Sequence, residues 1–534
     1  MPHNHRISVI TVSDKHTDGD RNNFSYTTGE AVKKKPADFE TAIATAGYGK
    51  FQYLLLLTII PVSWSNSIDT ASVAIILPSA ECDLQMTLFQ KGVLNAIIFV
   101  GMVSSGYLWG YVADVRGRKV VFMYGYLADG ICNILCGFSQ NFWTLAFFKF
   151  LSGFIISGPH ASILAYCSEF YGVKERVRIP LVIGFSITFG NTVAAALAWL
   201  VIPQTWSIVL WDGVFVYNSW RLYLSLCGVP SLIGLVCLSR FPESPKFLMS
   251  QGRREEALEV FKKIYRVNSG KPADEFPIQL LEDETCKKSA NNEEQDGKLK
   301  KRVIFFHPYL LRLLSVTTMQ FGSMWVTNTL RMWQPQLFAM MDDFDSHDHN
   351  STMGKQYTFC EILDLSSAGN EISITTADGA DCSVVNETVY MNTAISSLFG
   401  CACLLVASLM LNILNHKILL YICYGVSFCC IVCLYWSTNA LLTLILTGMT
   451  VGFTNTTLST IIGATVILFP TSLRAIAVSL AMMVGRIGTI VGNLLFPVLL
   501  SYGCLVPMIQ LALFTLLCIV LTWLLPLYKE KSKK

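Results

Sequence analysis

The sequence predicts an all-α membrane protein with twelve transmembrane helices in two six-helix groups. Three observations predict it. The 534 residues are 52% hydrophobic and only 14% charged, whereas an average soluble domain is about 25% charged. From residue 51 onward, twelve mainly apolar stretches follow one another, each near the roughly 20 residues that a spanning helix needs. Basic residues collect in alternate loops, as they do on the cytoplasmic side of membrane proteins.

In chain order, residues 1–50 are polar, carry Lys33-Lys34-Lys35-Pro36 and contain no apolar stretch of signal-peptide type. They read as a flexible cytosolic tail whose lysines mark topology. Six spans follow, near 51–78, 88–111, 120–139, 142–167, 180–202 and 220–239. They form an N-terminal half over 51–239. Residues 240–303 mix both charge signs and read as a cytosolic linker. Within it, Arg253 to Arg266 spaces Ala257, Leu258, Phe261, Ile264 and Tyr265 for a short amphipathic helix, and 267–300 reads as flexible. The C-terminal half, 304–527, holds spans near 309–340, 390–412, 418–437, 440–468, 473–500 and 503–526, before a short cytosolic tail over 528–534.

Loop charge supports this count. Arg116, Arg118 and Lys119 share one loop, Lys174, Arg176 and Arg178 another, and His416 and Lys417 a third. These loops and the lysine-rich C-terminus fall on one side. On the other side, loop 203–218 has Asp212 and no Lys or Arg. Loop 341–389 has Asp342, Asp343, Asp345, Asp348, Asp364 and Asp381 against a single Lys355. This acidic outer loop carries glycosylation candidates at Asn350 and Asn386 and two cysteines, Cys360 and Cys382, that are candidates for a bridge. The 17 cysteines lie mostly inside apolar runs and show no zinc spacing. No metal or cofactor is implied. The net charge of +3 gives no sign of a nucleic-acid partner, and no GxxxxGK[ST] loop suggests ATP-driven transport. An enzyme is not expected.

The turn between the second and third spans organises the chain. It carries Gly110, Asp114, Arg116, Gly117, Arg118 and Lys119. A carboxylate at such a surface can cap a nearby helix N-terminus and pair with a cation. The plainer alternative is a solvated turn whose charges only set topology. The Gly-x-x-x-Asp-x-Arg-Gly-Arg-Lys pattern resembles the signature of the major facilitator superfamily. Lys149-Phe-Leu-Ser-Gly153 is similar to that superfamily's helix 4 motif, with Lys in place of Arg. Pro242-Glu243-Ser244-Pro245-Lys246 is similar to the motif after helix 6 in its sugar and organic-ion porters. Gly49 to Tyr53, Leu77 to Glu81, Ser168-Glu169-Phe170 and Asn218 to Arg221 resemble the synaptic vesicle glycoprotein 2 group. The large luminal domain of that group is here only a loop of roughly fifty residues.

The resemblance, over about 47–526, implies two pseudo-symmetric halves with a substrate between them. It also implies a gating set of Gly110, Asp114, Arg116, Gly117, Arg118, Lys119, Glu169, Arg176, Arg178 and Arg474. Asp114 is expected to face the start of helix 11. The second half departs from the pattern: Ile467 stands where these porters carry Glu, and the helix 8–9 turn lacks the Asp and Gly-Arg.

Ionisable residues inside spans are costly unless they meet a partner or water. Asp69, Asp129, Lys149, Arg331 and Arg486 are such residues. The resemblance places helices 1, 4, 7 and 10 around a cavity, so Asp69 and Lys149 are expected to pair across it, as a substrate or structural pair. Asn66 stands where the vesicle group has an acid. Arg331 and Arg486 suit an anion, with snorkelling to the surface the alternative for Arg331. Asp69 with Trp64, Trp325 and Trp333 suits an organic cation. Both readings stand on the sequence.

Two functions follow. One is a monomeric transporter of a small organic solute, proton- or ion-coupled, in contact with membrane lipid. The other is a transport-inactive relative acting in trafficking or binding. Either belongs in the plasma membrane or a secretory vesicle membrane.

Overall fold

A chain crossing hydrocarbon must satisfy its backbone N–H and C=O groups within itself, and stretches of this length do so as helices. The computed structural model describes residues 36–176, 179–211, 214–282, 304, 306, 309–348, 357–365, 386–410 and 414–525. A short α1 (Phe39–Ala46) precedes six long helices: α2 (Lys50–Leu84), α3 (Leu88–Arg116), α4 (Arg118–Gly137), α5 (Phe142–Ser168), α6 (Ile179–Val201) and α7 (Ser219–Ser239). Two surface helices follow, α8 (Pro245–Ser250) and α9 (Arg254–Ser269). Six more long helices complete the chain: α10 (Tyr309–Asp348), α11 (Glu387–Met410), α12 (His416–Tyr435), α13 (Ala440–Leu468), α14 (Thr471–Leu500) and α15 (Leu505–Leu524).

Among the described residues, eleven helices are long and apolar enough to cross a membrane. The twelfth long helix, α10, has 40 residues. It carries a buried polar face that includes Gln320, Thr327, Asn328 and Gln334. Helices overrun the expected spans. α2 continues through Pro78 and stops at Gln85, which turns left-handed at φ 47°, because a helix is not obliged to end where the apolar stretch ends. α7 breaks at Cys227 and Gly228.

Close backbone approach fixes the packing in each half. A Cβ on Gly153 would meet the Ile98 carbonyl oxygen at 2.0 Å, so the glycine of the helix 4 motif marks where α5 crosses α3. Small residues serve helix contact in lipid because hydrophobic burial is absent there. The halves meet along α2 and α10, α3 and α14, and α6 and α11.

Three features depart from the sequence reading. Residues 36–50 are folded rather than a flexible tail: α1 buries Phe39, Ala42, Ile43 and Ala46. Phe39 packs at a tilt against Phe261 of α9, and Ala37 bridges to Leu281. The same contacts order residues 270–282, expected to be flexible, with Phe276 buried. Loop 203–218 forms a hairpin that pairs Ser207–Leu210 with Phe215–Asn218. Its run of Ile, Val, Phe and Tyr was the available signal. Finally, Cys360 bonds Cys504 at the start of α15, not Cys382, with a Cα–Cα distance of 5.3 Å. Cys382 lies outside the described residues. Asp364 supports the join by accepting from the Cys504 N–H at 2.6 Å.

Candidate transport site

The turn at 110–119 divides in two. Its second part is braced within the first half. Gly117 joins α3 to α4 at φ 97°, and a Cβ there would fall 2.7 Å from a carboxylate oxygen of Glu243. That carboxylate accepts from the Lys119 N–H at 3.2 Å and the Ser244 N–H at 2.8 Å. Burial pushes the Glu243 carboxyl above its ordinary range, and those two N–H groups oppose the shift. The Lys119 ammonium donates to the carbonyls of Ser239 (3.2 Å) and Phe241 (2.6 Å). Arg118 pairs with Glu169 at 2.6 Å, and Glu169 also accepts from the Ser244 hydroxyl. Arg176 forks onto Glu40 at 2.8 and 3.3 Å and reaches the Ser168 carbonyl at 3.1 Å.

The first part of the turn is not engaged. Asp114 and Arg116 are exposed, and neither joins another described residue by a side-chain hydrogen bond or ion pair. The space beside Gly110 is open, and Tyr107 is 91% exposed. The expected contact of Asp114 with the start of α14 is therefore absent here. Arg474, in the first turn of α14, has a buried Nε without a partner. Arg178 lies outside the described residues.

The opposite end is closed. Ser79 and Tyr390 share a hydrogen bond of 2.6 Å, and Gln336 donates to Glu81 at 3.1 Å. Glu81 also pairs with the buried Lys91. A Cβ on Gly92 would meet the Asn493 carbonyl oxygen at 2.7 Å.

Asp69 and Lys149 do come together, but not across a cavity and not directly. Both are fully buried within the first half, with Asn133 between them. The Asn133 amide donates to Asp69 Oδ1 at 2.7 Å, and its oxygen accepts from the Lys149 ammonium at 3.1 Å. Lys149 also donates to Ser72 at 3.0 Å. Asp129 joins the cluster, accepting from Asn133 (3.3 Å), Ser152 (3.2 Å) and Ser231 (2.5 Å). Asp69 Oδ2 has no partner. Two carboxyls and one ammonium balance only when one carboxyl holds a proton.

Between the halves lie different residues. Arg331 does not snorkel outward. Its guanidinium donates to Asn328 at 2.7 Å and, across the interface, to Asn191 of α6 at 3.3 Å. Asn328 donates in turn to Thr489 of α14 at 2.8 Å. Arg486, one turn before Thr489, is half-buried and within electrostatic reach of His160 on α5. Asn66 is half-buried on α2. Trp325 is 4% exposed and stacks on Phe514 at 4.6 Å, and Trp333 packs on Phe496. Both indoles thus fill the core of the second half and are not available to cage a cation. The sequence reading missed Asn133, His160, Asn191, Asn328 and Thr489. For Asn328 and Thr489 the signal was a spacing of three from an in-span arginine and for Asn133 a spacing of four from an in-span aspartate; His160 and Asn191 carried no such signal. Asn386 is exposed just before α11, with its sequon partner Thr388 donating to Asp342 at 2.9 Å. Asn350 lies outside the described residues.

The family model described as "Sugar (and other) transporter" matches residues 65–347. Synaptic vesicle glycoprotein 2A of Rattus norvegicus is 30% identical over 246 residues, which cover 45% of this chain and 33% of that protein. Synaptic vesicle glycoprotein 2B of Homo sapiens is 26% identical over 327 residues, 57% of this chain and 48% of that protein. The match thus spans a third to a half of those relatives' length. The E. coli xylose transporter in an inward-open conformation superposes with a TM-score of 0.62 at 14% identity, over 90% of this chain and 98% of its own. The crystal structure of a D-xylose–proton symporter gives 0.60 at 13% identity, over 91% and 99%. At those identities the structures speak to the fold, which is that of the major facilitators. This multi-pass membrane protein belongs to the sugar (and other) transporter family of the major facilitator superfamily.

Proposed function

We propose that the protein is a secondary transporter of a small organic solute that works by alternating access. One observation carries this reading: two six-helix halves hold polar side chains between them, with Arg331 reaching Asn191 across the interface, and hydrogen bonds join the halves at the end of Ser79 and Tyr390. A structural membrane protein gains nothing from a polar interface between two halves, whereas a carrier uses one. The end opposite Ser79 bears the basic turn, which supports a cytoplasmic assignment for that end, both termini and segment 240–303. The Cys360–Cys504 bond at the closed end supports an oxidising, extracytoplasmic exposure there. The cluster of Asp69, Asp129 and Lys149 is the candidate carrier of a coupling proton.

A second reading, a transport-inactive protein of trafficking or binding, is favoured by Arg474, which has no described partner on the side where Ile467 replaces an acid. Uptake into proteoliposomes, screened over organic ions and sugars with and without an inward proton gradient, separates the two. Transport predicts saturable uptake that a cross-link between cysteines at positions 79 and 390 abolishes and reduction restores. Absence of uptake for every class, with the protein folded, favours the second reading.

A further inference from the structure

We infer that the solute taken between the halves is a small organic anion, whose carboxylate, sulfate or phosphate group sits between Arg331 and Arg486. The inference rests on the transporter reading and names its substrate class. Both guanidiniums lie on helices that face the interface, one on each of α10 and α14. Arg331 donates to Asn328, which donates to Thr489, and Arg486 shares one face of α14 with Thr489 at a spacing of three.

Neither arginine has an acidic partner among the described residues, and Arg331 bonds only the neutral amides of Asn191 and Asn328 there. The acids that could balance them are committed elsewhere. Asp69 and Asp129 are sealed inside the first half with Lys149, and Glu81 pairs with Lys91 at the closed end. Arg331 has a buried Nε with no acceptor, and Arg486 lies within electrostatic reach of His160 on α5 of the first half.

Guanidinium does not lose its proton in proteins. An uncompensated pair of them in a partly dry interface is therefore costly, and the cost is relieved when an anion enters. The planar fork of each arginine matches the paired oxygens of a carboxylate, sulfate or phosphate. The opposite reading, an organic cation, loses its support here: Trp325 and Trp333 are in the core of the second half, and Asp69 has no path to the interface without disrupting Asn133.

The test uses the full-length protein in neutral detergent and in phosphatidylcholine liposomes at matched ionic strength. The probes are benzoate, succinate and phenyl phosphate, set against tetraethylammonium and xylose, with phosphatidylglycerol as a separate arm. Millimolar anions are expected to raise Tm, while the cation and the sugar leave it unchanged. Arg486→Gln and Arg331→Gln should each weaken the anion response by about tenfold or more, the loss of a charge-assisted hydrogen bond. Arg486→Lys should retain part of the response, since charge remains and the fork is lost. Without ligand, Arg486→Gln should melt no lower than the parent, which separates lost binding from misfolding.

The inference is overturned if no soluble anion shifts Tm, if xylose or tetraethylammonium shifts it instead, if both glutamine variants respond as the parent does, or if phosphatidylglycerol alone stabilises. Anion binding without uptake would uphold the site and sink the transport reading. Xylose uptake indifferent to both arginine variants would do the reverse.

Discussion

Asn133 turns two isolated charges into a network. Removing one member leaves the others unpaired in low dielectric, where the penalty is larger than the net worth of the pair. Asp69→Asn and Lys149→Gln should each lower Tm in detergent, and the double variant should recover part of the loss, with a coupling of about 1–3 kcal/mol. The Asn133 bridge adds a sharper expectation: in an Asn133→Ala background the part of the coupling carried by its two hydrogen bonds should be lost, leaving the through-space attraction of the two charges. A coupling unchanged in Asn133→Ala would mean that the bridge carries none of it. Asp69 and Lys149 were legible in the sequence because a charge in an apolar stretch has few neutral explanations. Asn133 was not, since one amide in a span costs little and declares nothing until its neighbours are known. Trp325 and Trp333 misled for a related reason: an indole in a span reads alike whether it lines a cavity or fills a core.

At the scale of elements, apolar length and loop charge made the long helices legible, while their ends and cross-links were not. The pairing of Cys360 is the clearest case. The sequence offers Cys382 within the same loop, whereas the bond runs to Cys504 over a separation of 144 residues. Cys504 sits at the edge of an apolar stretch and reads there as a core residue. Non-reducing peptide mapping should recover the Cys360–Cys504 peptide pair. Cys382→Ser should leave Tm unchanged, while Cys360→Ser and Cys504→Ser should lower it equally, by about 2–4 kcal/mol in stability. Unequal losses, or a Cys360–Cys382 peptide, would refute this pairing. The folding of α1 onto α9 was hidden for a different reason: eight residues make a marginal helix alone, and it is tertiary packing that sustains them.

For the molecule as a whole, Asp114 is exposed at the end of α3 and makes no side-chain contact with the second half among the described residues. The braced residues Gly117, Arg118, Lys119, Glu169 and Glu243 hold the turn rigidly to the first half. We propose that Asp114 meets the N-terminus of α14 when the halves close. On this proposal, Asp114→Asn removes a contact made only in the closed state and shifts the population toward the open one. A cysteine at position 66 should then react faster with a membrane-impermeant reagent applied from the side of the turn. Identical rates in parent and variant would leave Asp114 as a surface charge that only orients the chain.

The polar face of α10 carries a consequence for biogenesis. Arg331, Asn328, Gln320 and Gln334 put polar side chains on this helix, which is not among the strongly apolar spans of the described residues. A segment with a central arginine partitions poorly from the translocon into lipid when it arrives alone. Its retention in the bilayer then depends on α14, whose Gly488 lies against the Phe321 carbonyl at 2.5 Å from an ideal Cβ and whose sequence is synthesised more than a hundred residues later.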